Sequence, residues 1–155
     1  MGLDMYLKKH IYIGAEFEHR KINGIIKVRA GKKEIPVNFK KVSYIIEEVG
    51  YWRKANAIHN WFVKNVQNGV DECQEAYVDT EKLEELLKLC KDVRKDHRRA
   101  HKLLPCVEGF FFGGTDYDKY YFQDICQTIK ILQDVLKSKD ENGYIDGDIY
   151  YRASW

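Results

Sequence analysis

Long apolar runs are missing from this chain. No stretch approaches the roughly 20 apolar residues that a bilayer-spanning helix needs. An excess of one charge is missing too. Twenty-six basic and 24 acidic residues leave a net +2, so no global field draws the chain to nucleic acid or to an anionic membrane. The four cysteines, Cys73, Cys90, Cys106 and Cys126, form no CxxC or CxH pair, which removes the usual zinc framework. A chain this long buries roughly two-thirds of its unfolded surface without disulfide staples, so all four read as reduced thiols. Neither GxGxxG nor GK[ST] occurs, and no Ser or Cys sits in a nucleophile elbow. The opening MGLDMYLKKHIYIG lacks the basic start and apolar run of a signal peptide. Tyr6 occupies the position where a myristoylation sequence wants Ser or Thr. These absences predict a cytoplasmic protein with no membrane partner, no cofactor, no metal and no nucleic-acid role.

What is present is globular. Hydrophobic residues make up 45% of the 155 and charged residues 32%, which suits one domain spanning residues 1–155. Met5, Leu7, Ile11 and Ile13 alternate along a strand at 3–13. Residues 25–29 and 34–39 read as a hairpin around Gly31-Lys32-Lys33, with Pro36 marking an edge strand. Val42, Tyr44, Ile45, Ile46 and Val49 favour a strand over 42–50. Helical spacing of Ala55, Ile58, Trp61, Phe62 and Val66 predicts a first helix from about Arg53 to Gln67, with Gly69 at its C-terminal cap. A short strand at 75–78 precedes a second helix over 80–102, capped by Asp79 or Thr80. Gly109 to Gly113 read as a short apolar strand. A turn at 114–118 enters a third helix over 118–137, and a last strand runs from Tyr144 to Tyr151. The pattern predicts an α+β fold: a single mixed or mainly antiparallel sheet with about three helices packed mostly on one face.

Three segments, 51–62, 110–122 and 144–155, hold fifteen of the 21 aromatic residues. Tyrosine and tryptophan offer flat faces with a polar tip, which suits rings and sugars. They equally suit a core with hydroxyls at its rim. Arg53, Asn56, Asn60 and Lys64 follow one another at helical spacing, with His59 beside them. Asn is a poor helix former, so this face reads as chosen for hydrogen bonding, with Arg53 able to clamp a phosphate. An ordinary solvated face is the alternative. In the turn, two glycines admit a close backbone approach. Thr115 or Asp116 could simply cap the helix, while Asp116 and Asp118 would repel phosphate and suit a ribose hydroxyl, an amine or a metal better. His97 and His101 stand at i, i+4, but arginines crowd them and no HExxH glutamate is present. Six Lys or Arg between Lys91 and Lys102 complement a helix C-terminus.

Several blocks together resemble a family of small proteins encoded mostly by bacteriophages and prophages, some of them labelled phosphoglycerate kinase without a basis in sequence. The blocks are Met1-Gly2-Leu3-Asp4-Met5-Tyr6-Leu7, the stretch from Tyr51 to Val63 (YWRKANAIHNWFV), Leu103-Leu104-Pro105, Gly109 to Asp118 (GFFFGGTDYD), and Tyr150-Tyr151-Arg152-Ala153-Ser154-Trp155. Cys106-Val107-Glu108 and Arg152-Ala153 depart from the family pattern. The resemblance implies a viral origin and supplies no activity. By analogy of lifestyle, a small phage protein that sequesters a nucleotide-derived host immune signal, of ADP-ribose or cyclic-nucleotide type, is the leading expectation. Trp52, Tyr117 or Trp155 would stack the base. Arg53 would hold phosphate, and Asn56, Asn60 and Asp116 would read sugar or base edges. His59, Thr115 and Arg152 complete the candidate ligand set. The first helix, the Gly113–Asp118 turn and the segment ending at Trp155 are expected to surround one concave site. Two other readings stand beside it: a protein–protein inhibitor of a host defence or replication factor, and a nucleotide hydrolase with His59 as base and Asp116 or Asp4 assisting. A homo-oligomer is compatible with each.

Overall fold

The computed structural model describes residues 2–14, 27–38, 41–109 and 112–155. Alternation sets the central strand. Met5 and Leu7 of β1 (Asp4–Tyr12) are fully buried, while Asp4, Tyr6 and Lys8 are only half-buried. In the hairpin, β2 (Val28–Ala30) and β3 (Lys33–Ile35) form a separate two-stranded sheet. The parts of that expectation that fall on Ile25, Ile26 and Phe39 lie outside the described residues. β4 (Tyr44–Arg53) pairs antiparallel with β1, Met5 opposite Trp52 and Leu7 opposite Gly50. One extra residue in β4 then shifts the register between Leu7 and Lys8. Gly50 is required there because a Cβ would lie 2.7 Å from the Ile131 side chain.

α1 (Asn56–Asn65) follows at once. The expected helix start at Arg53 is three residues early, because Arg53 still belongs to the strand. Lys54 turns the chain at φ 60°, a left-handed conformation that costs a non-glycine residue roughly 1 kcal/mol. β5 (Ala76–Tyr77) is short. α2 (Thr80–Lys95) starts on Asp79, whose carboxylate accepts the Lys82 N–H at 2.7 Å.

α2 stops at Lys95 rather than running to 102. Asp96 is extended, and its side chain captures the Arg98 N–H, opening a 3-10 turn (His97–Arg99) and then α3 (Ala100–Leu103). His97 and His101 therefore sit in different elements, and His97 stacks on Phe122 with ring centroids 3.7 Å apart. The expected strand at 109–113 is not formed where the structure describes it: Phe112 lies in a bend, and Phe110 and Phe111 fall outside the described residues. α4 (Lys119–Leu136) is capped by Asp118, not by Thr115 or Asp116. The last strand, β6 (Asp148–Ser154), begins later and ends later than expected.

The fold is α+β: the described residues form four α-helices and an antiparallel sheet of order β4-β1-β6-β5. The inward side chains of the sheet join Phe62, Leu83, Leu86, Ile125, Ile129 and Leu132 in one core. Phe62 and Tyr151 stack at 3.9 Å within 6° of parallel. Full burial of each such side chain contributes roughly 1.5–3 kcal/mol. No helix among the described residues is long and apolar enough to cross a membrane.

Candidate functional site

A cleft of about 330 Å³ opens where the β4–α1 junction meets the start of α4. The junction contributes Arg53, Lys54 and the first turn of α1, from Ala55 to Ile58. That turn carries no acidic residue, and Ala55 gives it no capping side chain. The turn and α4 contribute Asp116, Asp118 and Asp124, with Tyr120, Tyr121 and Gln123. Gly113 packs directly on the junction: at φ 86°, its missing Cβ would lie 3.3 Å from the Lys54 Cβ.

Burial, reinforced by Asp118, pushes the Asp124 carboxyl up to about 6. Asp118 spends one oxygen, Oδ1, on the Tyr120 and Tyr121 amides. The Cys106 thiol also lines the cleft, and burial raises its pKa, which Asp116, Asp118 and Asp124 reinforce. A raised thiol is a poor nucleophile at neutral pH. Burial likewise raises the Tyr121 phenol, and it donates to the Leu104 carbonyl at 2.9 Å.

The expected site residues divide. Arg53, Asn56 and Asp116 line the cleft. Asn56 does so as structure: its Nδ2 donates to the carbonyls of Phe112 at 3.1 Å and Gly114 at 2.7 Å, and its Oδ1 accepts the Val107 N–H at 3.3 Å. Asn60 donates to the Pro105 carbonyl at 3.1 Å. The asparagines of α1 are thus made for hydrogen bonding, but their partners are the backbone groups of Pro105, Val107, Phe112 and Gly114. Trp52 cannot stack a base: it is 1% exposed and its Nε1 donates to Thr128 Oγ1 at 2.9 Å.

His59 is equally enclosed at 1% exposure. Its Nδ1 meets the Tyr151 hydroxyl at 2.7 Å and its Nε2 meets Asp71 Oδ2 at 2.9 Å. Asp71 uses its other oxygen to accept the Trp155 indole N–H at 3.1 Å. Arg152 Nε donates to the Cys73 carbonyl at 3.2 Å. The chain end is therefore tied to the loop after α1 and does not line the cleft, which corrects the expectation of one site shared by Arg53, Asp116 and Trp155. Tyr117 and Thr115 also stand outside the lining. Tyr117 is exposed and accepts the Cys106 N–H at 3.2 Å, and Thr115 is exposed.

Sequence reasoning missed Lys54, Tyr120, Gln123 and Asp124. Asp124 gave no signal, since helical spacing sets it off the stripe of Phe122, Ile125, Ile129 and Leu132 and its burial comes from the segment packed beside α4. Among the described residues, no group of three or more His, Cys, Asp or Glu is placed to hold a metal ion. The chain matches no family model, no curated protein and no solved structure.

Proposed function

We propose that this is a phage-encoded binding protein that holds a small nucleotide-derived host immune signal in the cleft and sequesters it unchanged in the host cytoplasm. The observation that carries the reading is the lining of the cleft. Arg53 and Lys54 offer an anion site, three aspartates offer acceptors, and Tyr120, 62% exposed, offers a ring face at the rim. Capture is favoured over turnover because the candidate imidazole and thiol are otherwise engaged: both His59 nitrogens have partners, and burial raises the Cys106 thiol. Calorimetry with ADP-ribose, cyclic mononucleotides and cyclic dinucleotides is the test. At least one should bind at micromolar concentration or tighter and be recovered intact by mass spectrometry. Arg53→Ala should weaken that binding about 10- to 100-fold, the scale of a charged hydrogen bond. Folded protein that binds none of them sinks the reading.

A protein partner is the second reading, and one surface favours it. Tyr44, His10, Tyr150 and Tyr77, one from each strand of the main sheet, follow one another with ring centroids 6.4, 4.5 and 5.8 Å apart. Tyr44 is 52% exposed, and Ile46 and Tyr77 are each 56% exposed. Tyrosine-rich flat faces of this kind bind proteins well. A host protein retained by the native chain but lost with Tyr44→Ser and Tyr77→Ser, while Arg53→Ala retains it, would favour this reading over ligand capture.

A further inference from the structure

Resting on the reading that the cleft takes a nucleotide-derived ligand, we infer that the ligand is a 5′-phosphorylated ribose with a free vicinal diol, of nucleoside 5′-monophosphate size, rather than a cyclic nucleotide. The argument starts from where the charges lie. Among the described residues the cations lining the cleft are Arg53 and Lys54, adjacent in sequence at the β4–α1 junction. They provide one anionic position. The carboxylates of Asp116, Asp118 and Asp124 all come from the other segment. An ionised carboxylate only accepts hydrogen bonds. A second phosphate on that side would face like charges, so the ligand must present donors there.

A ribose with free 2′ and 3′ hydroxyls presents two adjacent O–H donors, and carboxylate reading of ribose hydroxyls is a general solution. Asp116 and Asp124 are the readers with capacity to spare, since Asp118 already spends one oxygen on the first amides of α4. A 3′,5′-cyclic phosphate consumes one of the two hydroxyls. A cyclic dinucleotide carries two phosphates on opposite sides of its ring, and among the described residues Arg53 and Lys54 offer a single cationic position. Its volume of about 330 Å³ lies at the small end of ligand sites, which suits one nucleotide unit better than a two-base ring.

The test is calorimetry on the intact protein with ribose 5-phosphate, AMP, ADP-ribose, the 2′-deoxy and 3′-deoxy forms of AMP, 3′,5′-cyclic AMP and cyclic di-AMP. Diol-bearing ligands should bind, and loss of either hydroxyl should weaken binding about tenfold or more, the scale of one or two hydrogen bonds to a charged group. Asp124→Asn and Asp116→Asn should weaken the diol ligands and narrow their advantage over the deoxy ligands. The deoxy comparison uses the unmodified chain, so it stands even if a variant fails to fold. Equal or tighter binding of the deoxy or cyclic compounds overturns this inference while leaving nucleotide capture in place. Binding of none of these compounds ends both.

Discussion

Burial beside Asp118 lifts the Asp124 carboxyl to about 6, whereas an aspartate in the unfolded chain titrates near ~3.9. The folded state therefore holds that proton more tightly. The stability it contributes is fully present below about pH 4 and is lost as pH rises through about 6. At neutral pH the charged group thus opposes folding, and its retention in a cleft points to binding. Asp124→Asn removes the charge at every pH. The expected result at pH 7 is a gain of about 1–2 kcal/mol, after allowance for solvent screening of a half-buried group. The gain should vanish near pH 4, and ligand affinity should fall. In the native chain, affinity for a hydroxyl-donating ligand should weaken as pH drops below 6, because the protonated carboxyl accepts less well. Thermal melts at the two pH values, paired with calorimetry, check this. A loss of stability at pH 7 would mean that Asp124 is a paired structural anion.

α1 works as an element by fastening a strap. Asn56 and Asn60 hold the backbone at Pro105, Val107, Phe112 and Gly114, and Tyr121 of α4 holds Leu104. Asn56→Ala strips three backbone groups of their partner in a half-buried setting, so the expected loss is about 2–4 kcal/mol. Hydrogen exchange should quicken first at Val107, where the amide is released. Unchanged exchange there would show that Asn60 and Tyr121 suffice. The strap also explains what was legible. Helical spacing showed that Asn56, His59 and Asn60 share a region of α1, but spacing carries no information about what covers it. Their partners lie 45 or more residues away for both Asn side chains. Strands were legible because alternation at Met5 and Leu7 reports burial directly. The end of α2 was not, since its stripe of Leu83, Leu86, Cys90 and Val93 already ends before Asp96 and the basic run beyond it has no periodicity. Glycine-flanked phenylalanines mimic a buried strand, yet Phe112 instead packs edge-on against His59 at 5.0 Å.

Across the whole molecule, β1 joins β4 to β6, so segments from both ends of the chain meet at the centre of the sheet. That pairing delivers Tyr151 to α1, and a continuous series of contacts then runs Tyr151–His59–Asp71–Trp155. The cleft uses the first turn of α1, Asn56 to Ile58, immediately before His59, together with α4. Two assemblies thus share one helix, one fixing the chain end and one lining the cleft. Their separation predicts a double dissociation. Trp155→Ala removes one hydrogen bond to Asp71 and an edge contact with Phe112 at 6.4 Å, so it should cost about 1–2 kcal/mol. It should also loosen the loop at 67–75 in hydrogen exchange and leave ligand affinity within about twofold, because Trp155 itself does not line the cleft. Arg53→Ala should do the reverse, because its exposed side chain adds little to folding. Melting curves and calorimetry on both variants decide the matter. If Trp155→Ala weakens binding as much as Arg53→Ala does, the terminal network and the cleft form a single site after all, with Phe112 as the link between them.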